Sequence, residues 1–187
     1  MLKAFDNPYP EIVTLRLLLN RFDPEDAASV QKLAGDEAVA SNTLAMPFPY
    51  ADGMAEAWID THEPGFRGGQ SVIFAIRIRE SAEVIGAIGL SLQLQYSLAE
   101  VGYWIGAPFW NRGYCTEALE AVLQYAFREL GVHKVMATHF ACNPASGRVM
   151  IKAGMHREAL LSKHMMHWGT FKDLVYYGIF NPEAGSR

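Results

Sequence analysis

One stretch, residues 109–118, combines the residue types that can bind an anion at the start of a helix. It contains a positive charge at Arg112, no side chain at Gly113, and small side chains at Cys115 and Thr116. The first N–H groups of a helix lack internal partners and carry partial positive charge, so a phosphate that can approach closely contacts several of them. The pattern indicates either a phosphate site or an ordinary tight turn with a solvated Arg112. The lysine of a P-loop and the G-x-G-x-x-G turn are both absent.

A carboxylate precedes this turn, where a buried strand is expected to begin. Glu100 opens the apolar run 101–105, which has the length and residue types of a buried strand. One interpretation is a solvated carboxylate at the end of a strand, which is the usual position of a glutamate. The alternative is a general base that accepts a proton from an attacking group.

A second helix start offers polar groups downstream. In Asn143-Pro144-Ala145-Ser146, the asparagine is a good N-cap and the proline suits the first helical turn. This structural explanation is sufficient by itself. However, a capping Asn143 still has an amide N–H₂ to donate, and the Ser146 hydroxyl can hydrogen-bond a leaving group.

The cysteines and histidines form no recognisable metal or nucleophile pattern. Cys115 lies at a helix start, where thiol pKa values tend to fall, but there it would lie beneath a bound phosphate, and Cys142 is expected to be a small buried residue. Two cysteines make no disulfide framework in a chain this long, which predicts a reducing, cytoplasmic location. No metal-ligand spacing relates the histidines at positions 62, 133, 139 and 164.

The elements that must position these residues are predicted from periodicity and turn signals. Strands are predicted at 14–20, 71–79, 84–92, 100–105 and 134–140, with a final hairpin that has its turn at 168–171 and a strand at 174–180. Helices are predicted from Asp23-Pro24 to Gly35, at 52–62, from the turn at Gly113 to Gly131, and at 143–153. This order predicts one α+β domain over residues 1–187 with a mostly antiparallel sheet.

The segment 46–50, Met-Pro-Phe-Pro-Tyr, cannot form a regular helix because each proline restrains the residue before it. It is either a rigid connector or an apolar lip over a substrate pocket.

Composition excludes several classes of protein. Half of the 187 residues are hydrophobic and 19% are charged, which is typical of a globular domain with a sizeable core. The net charge of −4 argues against a nucleic-acid surface and weakly favours cationic partners such as amines. No apolar run approaches the roughly 18 residues of a membrane span, and no signal peptide is evident.

Several motifs together resemble one enzyme family. Residues 110–118, Trp-Asn-Arg-Gly-Tyr-Cys-Thr-Glu-Ala, resemble the acetyl-CoA pyrophosphate loop of GNAT-type N-acetyltransferases, Q/R-x-x-G-x-G/A, and look most like its RimJ/RimL ribosomal-protein branch. Trp110 and Cys115 depart from the general motif. Residues 143–155 resemble the family's second cofactor motif, and residues 14–17 and 168–173 resemble segments that the branch carries at its two ends. The resemblance covers nearly the whole chain.

The resemblance implies the GNAT fold, in which helices flank a mostly antiparallel mixed sheet. It implies acetyl-CoA as the cosubstrate, direct attack of an amine on the thioester, Glu100 as the base and Ser146 near the thiol. Two sheet strands must separate to admit the pantetheine arm. The residues expected to bind the cofactor are Trp104, Ile105, Asn111, Arg112, Gly113, Tyr114, Cys115, Thr116, Asn143 and Ser146.

The expected acceptor is a protein N-terminal α-amine. The alternatives are a small-molecule amine, such as a polyamine or an antibiotic, and a non-catalytic acyl-CoA sensor. No nucleic acid, membrane or metal partner is expected, and the oligomeric state stays open between monomer and homodimer.

Overall fold

Eight strands and six helices are present in residues 5–183, the part of the chain that the computed structural model describes. The strands are β1 Ile12–Val13, β2 Leu17–Asn20, β3 Ser71–Ile78, β4 Val84–Gln93, β5 Leu98–Ile105, β6 Lys134–Phe140, β7 His156–His167 and β8 Thr170–Phe180. The helices are α1 Ala27–Ala34, α2 Glu37–Ala40, α3 Met54–Asp60, α4 His62–Arg67, α5 Tyr114–Arg128 and α6 Pro144–Lys152.

The strands form one mixed sheet in the order β1-β2-β3-β4-β5-β6-β8-β7. All neighbours are antiparallel except β5 and β6, which run parallel because α5 connects them as a crossover. This parallel pair is in register only from Leu98 opposite Lys134 to Glu100 opposite Met136. Beyond that point the two strands separate, which opens a gap in the middle of the sheet.

Helices cover both faces of the sheet. On one face α5 buries its apolar stripe, including Leu119, Val122 and Leu123, against the strands. On the other face a second cluster joins α1 and α3 to Trp104 of β5. Alternation along β5 therefore directs its odd-numbered side chains toward α5 and its even-numbered side chains toward α1 and α3.

The predicted helix start at Asp23-Pro24 is confirmed, and it is tied to the sheet. Asp26 closes a capping box by accepting from the Asp23 N–H at 2.8 Å. The same buried carboxylate accepts from Arg77 of β3 at 2.9 and 2.6 Å, so its charge is compensated. A short 3₁₀ turn, Pro24–Asp26, precedes α1, which ends at Gly35 as expected.

Several element boundaries differ from the sequence-based expectation. The strand expected at 14–20 is β2, which begins at Leu17, because residues 14–16 form the turn that follows the short, unpredicted β1. The helix expected at 52–62 is two helices that meet at Thr61, and α2 was not predicted. Glu100 is the third residue of β5 and does not open the strand.

Two further expectations, for segment 46–50 and for the final hairpin, are confirmed by the backbone. Segment 46–50 contains no helix, and a hairpin of β7 and β8 ends the described chain. None of the helices in residues 5–183 is long and apolar enough to cross a membrane.

Candidate active site

The turn at the start of α5 has the backbone geometry of an anion site. Gly113 is the N-cap at φ +80°, and Asn111 lies at φ +61°, so both occupy the left-handed region that these residue types tolerate. The Gly113 carbonyl accepts from the Glu117 N–H at 3.1 Å, the first bond of this 15-residue helix. The N–H groups of residues 114–116 consequently have no acceptor one turn earlier and can contact an anion.

The other residues of the turn surround these amides. Arg112 is exposed, with its guanidinium 5.9 Å from the ring centroid of Phe109, and Thr116 is half-buried in the first turn. The Trp110 indole N–H donates to the Ile105 carbonyl oxygen at 2.6 Å. This bond fixes the turn relative to the end of β5, which borders the gap.

The backbone of β5 presents hydrogen-bonding groups to the gap at alternate residues. The Gly106 N–H donates to Ile85 of β4 at 2.9 Å, and the Ser97 carbonyl accepts from His133, the residue before β6, at 2.7 Å. Since backbone groups alternate along a strand, those of Trp104 face β4, whereas those of Tyr103 and Ile105 face the gap. Trp104 and Ile105 are both expected to bind the cofactor, but only Ile105 thus presents its backbone to the gap.

The start of α6 borders the same gap. The Asn143 Oδ1 accepts from the Ser146 N–H at 3.4 Å, which is the predicted N-cap and leaves the side-chain Nδ2 as a donor. The Tyr103 hydroxyl, which comes from β5, lies 3.0 Å from the Ser146 Oγ and 3.1 Å from the Ser146 carbonyl oxygen. Burial strongly raises the pKa of Tyr103, so its phenol stays protonated.

The two predicted catalytic residues lie on opposite faces of the sheet. Glu100 shares its face with Trp104, while Ser146 is on the α5 and α6 side. Glu100 is half-buried at the last paired position before the strands separate, where the Thr138 hydroxyl donates to its Oε1 at 3.4 Å. A reacting group that bridges the gap could thus meet a carboxylate from one side and hydroxyls from the other.

The cysteines differ from each other in environment. The Cys115 thiol packs beneath the turn against the core. Burial there raises its pKa to about 12, so the thiol is uncharged. Cys142 is exposed, and the expectation that it is buried was wrong, because it lies in the turn between Phe140 and the cap at Asn143. Neither thiol has the features of an activated nucleophile.

The buried histidines serve packing. His62 packs its ring at 90° to Trp58 with centroids 4.3 Å apart, and burial lowers its pKa to about 4. His139 has Nδ1 2.7 Å from the Phe140 carbonyl, and its pKa is lowered because burial outweighs that contact. Within residues 5–183, no group of three or more His, Cys, Asp or Glu side chains is arranged to hold a metal ion.

An aromatic pair spans the loop 46–50 and the tip of the β7–β8 hairpin. Phe48 stacks on Trp168 with ring centroids 5.0 Å apart, and both side chains are partly exposed. The pairing of β7 with β8 shifts register between Leu161 and Met165, where the Lys163 N–H donates to Asp173 Oδ1 at 2.7 Å. Met46 and Tyr50 of the loop pack against the cluster that contains Trp104, so the pair lies on the Glu100 side of the sheet.

Sequence reasoning missed three residues of this region. Tyr103 was treated only as part of an apolar strand, although a tyrosine in a buried strand needs a partner for its hydroxyl. Thr14 and Arg16 were noted only for their resemblance to a family segment, yet both hydrogen-bond Glu117 in the first turn of α5. No local signal could have found that contact, because 101 residues separate Arg16 from Glu117.

Comparison with known proteins agrees with this geometry. The family model described as an acetyltransferase (GNAT) domain matches residues 16–156. An uncharacterised N-acetyltransferase of Bacillus subtilis, YnaD, is 30% identical over 92% of this chain and 98% of its own length. The ribosomal protein uS5-alanine N-acetyltransferase of Escherichia coli is 25% identical over 62% of this chain and 60% of its own length.

The fold predicted from the sequence is also confirmed by solved structures. A structure of RimJ from Mycobacterium smegmatis in complex with CoA-disulfide superposes with a TM-score of 0.84, at 20% identity, over 96% of this chain and 91% of that one. The mixed, mostly antiparallel sheet flanked by helices is the GNAT fold, and the chain belongs to the GNAT family of acetyl-CoA-dependent N-acetyltransferases.

Proposed function

We propose that this enzyme acetylates a protein N-terminal α-amine by direct attack of the amine on the thioester of acetyl-CoA. One observation carries the proposal: β5 and β6 separate after Glu100, between the start of α5 and the Tyr103–Ser146 pair. A thioester that occupies the gap is open to an amine on the Glu100 side, and its sulfur lies near hydroxyl donors.

In this proposal the chain holds the cofactor from both sides of the gap. The amides of residues 113–116 and the Arg112 guanidinium bind the pyrophosphate, flanked by Asn111 and Tyr114. A Cβ at Gly113 would lie 3.3 Å from Arg16 Nη2, so a side chain at this position would crowd the turn. The Ile105 N–H and the Asn143 amide contact the pantetheine arm, since the Ile105 carbonyl oxygen already accepts from the Trp110 indole.

The amine loses its proton on the Glu100 side. Neutralising an α-amine of pKa about 8 at pH 7 costs roughly 1.4 kcal/mol, whereas a lysine side chain of pKa about 10.4 costs roughly 4.6 kcal/mol. A half-buried carboxylate that acts through water suffices for the first group. Glu100 accepts the proton as the nitrogen bonds to the carbonyl carbon.

The leaving sulfur lies on the opposite side of the sheet from Glu100, the side that α5 and α6 cover. When the carbon–sulfur bond breaks, the thiolate accepts a hydrogen bond from the Ser146 hydroxyl, which in turn can accept from Tyr103. The thiolate finally takes a proton from one of these hydroxyls or from water. An acyl-cysteine route is disfavoured, because Cys115 is half-buried against the core and burial raises the pKa of its thiol to about 12.

Two observations favour a peptide acceptor. The partly exposed Phe48–Trp168 pair offers an apolar surface on the face where Glu100 lies, which suits the first side chains of a protein N-terminus better than a polycation. The relative in Escherichia coli acts on a ribosomal protein, as its name states. This assignment to the RimJ/RimL branch is part of the proposal.

The test is release of free thiol from acetyl-CoA with a panel of acceptors. We expect the highest kcat/KM with peptides that carry a free N-terminus, and loss of turnover when the same peptides are N-terminally blocked but retain a lysine. A higher kcat/KM with spermidine or an aminoglycoside would overturn the choice of acceptor. CoA binding without turnover of any amine would favour a non-catalytic sensor.

A further inference from the structure

The side chain of Arg16 connects the first hairpin of the sheet to the turn that precedes α5. Its Nε donates to Glu117 Oε2 at 2.7 Å, and its Nη1 donates to the Arg112 carbonyl oxygen at 2.9 Å. Its backbone N–H donates to Glu117 Oε1 at 2.8 Å, and its guanidinium carbon lies 4.7 Å from the Tyr114 ring centroid. One side chain thus contacts the turn before and after Gly113.

The bond to Arg112 orients the amide that follows it. In a planar trans peptide, the carbonyl of one residue and the N–H of the next point in opposite directions. Because the Arg112 carbonyl is directed at Arg16, the Gly113 N–H is directed away from it. Arg16 thereby fixes an amide that would otherwise rotate with the glycine, whose backbone has the greatest freedom.

The bonds to Glu117 restrain a negative charge that lies in the first turn of α5. Burial opposes ionisation of this carboxyl, but hydrogen bonds from Thr14 and Arg16 and the positive charge of Arg16 outweigh it and lower the pKa of Glu117. Both oxygens are occupied, since Oε1 also accepts from the Thr14 hydroxyl at 2.7 Å. The charge is neutralised locally and would repel a phosphate at the same helix end less strongly.

We propose that Arg16 is a positioning residue that holds the cofactor-binding turn in its anion-binding conformation before acetyl-CoA arrives. The inference rests on the proposed cofactor site at residues 112–116. It assigns to Arg16 an effect on cofactor affinity that is exerted through Arg112, Gly113 and Glu117, without contact to the acyl group or the amine.

A competing explanation is that Arg16 acts only as a positive charge near the phosphates. The two explanations differ for Arg16→Lys, which retains the charge. A lysine ammonium has no planar fork and cannot bond Glu117 and the Arg112 carbonyl in the same geometry. Positioning therefore predicts that lysine fails to restore affinity, whereas a pure charge effect predicts that it does.

The experiment is calorimetric titration of CoA into the full-length chain and its variants. In Arg16→Met, the dissociation constant should rise roughly tenfold, the change that corresponds to one charge-assisted hydrogen bond. Arg16→Lys should behave like Arg16→Met. At saturating acetyl-CoA the kcat of both variants should stay close to wild type, so the defect appears in the KM for acetyl-CoA.

Arg67→Met is the matched control. Arg67 pairs with Glu63 at 2.8 Å and donates to two backbone carbonyls, and its side chain is 46% exposed against 43% for Arg16. The Arg67→Met variant should lower the melting temperature about as much as Arg16→Met does. It should leave CoA affinity within about twofold of wild type.

The outcomes separate this inference from the proposed function. If wild type binds CoA and Arg16→Met binds it equally well, or Arg16→Lys restores full affinity, the positioning role is wrong. If wild type itself does not bind CoA, the proposed cofactor site is wrong, whatever the role of Arg16. A cooperative melt verifies that the Arg16→Met variant is folded.

Discussion

The hydroxyl of Tyr103 lies 3.0 Å from the hydroxyl of Ser146 and so links β5 to α6 across the gap in the sheet. β5 ends shortly before the turn that begins α5, and α6 begins just after the cap at Asn143, so the pair joins the two parts of the proposed cofactor site. Tyr103 is half-buried and burial strongly raises its pKa, so its phenol keeps its proton near neutral pH. The pair can thus orient one hydroxyl toward a leaving group.

Tyr103→Phe should lower kcat and change the KM for acetyl-CoA little. The phenyl ring preserves the packing, but the Ser146 hydroxyl loses its fixed partner and points less reliably into the gap. We expect a loss of roughly tenfold, the value of about one hydrogen bond, measured by steady-state kinetics. Ser146→Ala should cost at least as much, and the double variant little more.

Tyr96→Phe controls for the loss of a phenol, since Tyr96 is 68% exposed. An unchanged kcat in Tyr103→Phe would contradict a role for this pair in the reaction.

Gly113→Val should abolish measurable CoA binding. The residue lies at φ +80°, and a branched side chain there both strains the backbone and occupies the approach of the phosphate. Calorimetry with CoA measures the effect. Gly131→Val is the matched control, because Gly131 lies at φ +64° beyond the other end of the same helix and a Cβ there meets nothing within 4 Å.

Both glycine variants should lose a similar free energy of unfolding, roughly 1–2 kcal/mol. Only Gly113→Val should lose the cofactor. Equal CoA affinities in the two variants would remove the turn from the cofactor site.

Glu100→Gln should lower kcat with an N-terminal peptide and leave CoA affinity nearly unchanged. A positioned base contributes roughly 10²–10⁴-fold, and glutamine keeps the shape and the contact with the Thr138 hydroxyl. The loss should shrink as pH rises through about 8, because the α-amine is then already neutral. The measurement is a pH–rate profile of both proteins, and superimposable profiles would mean that Glu100 is only a strand residue.

Acid should destabilise the fold through His62. Burial lowers its pKa to about 4 in the folded state, against about 6.5 in the unfolded chain. The unfolded chain therefore binds the proton more tightly, so the stability from this residue is complete above about pH 6.5 and disappears as pH falls toward 4. Between pH 7 and pH 5 the free energy of unfolding should fall by about 2 kcal/mol from His62 alone.

Urea denaturation at the two pH values measures this contribution. His62→Phe keeps an aromatic ring against Trp58 and Phe22 but cannot bind a proton. Between pH 7 and pH 5, the free energy of unfolding of this variant should fall by about 2 kcal/mol less than that of wild type. The same fall in both proteins would assign the acid sensitivity to other groups.

The sequence by itself determined the local features of the site. The left-handed glycine at position 113, the apolar stripe of α5 and the cap of α6 by Asn143 depend on residues within one or two turns of each other. Such features follow from sterics, periodicity and short-range hydrogen bonds, which neighbouring residue types reveal. The motifs that resemble those of the GNAT family extended the prediction from these local features to the whole fold.

Only the tertiary structure decided which distant residues meet. The bond from Arg16 to Glu117 and the contact of Tyr103 with Ser146 join elements that packing brings together. Packing also left Cys142 exposed and assigned Glu100 and Ser146 to opposite faces. These outcomes depend on strand order and on where β5 and β6 stop pairing. Residue type and spacing do not encode that point, because it results from the competition of all elements for the same core.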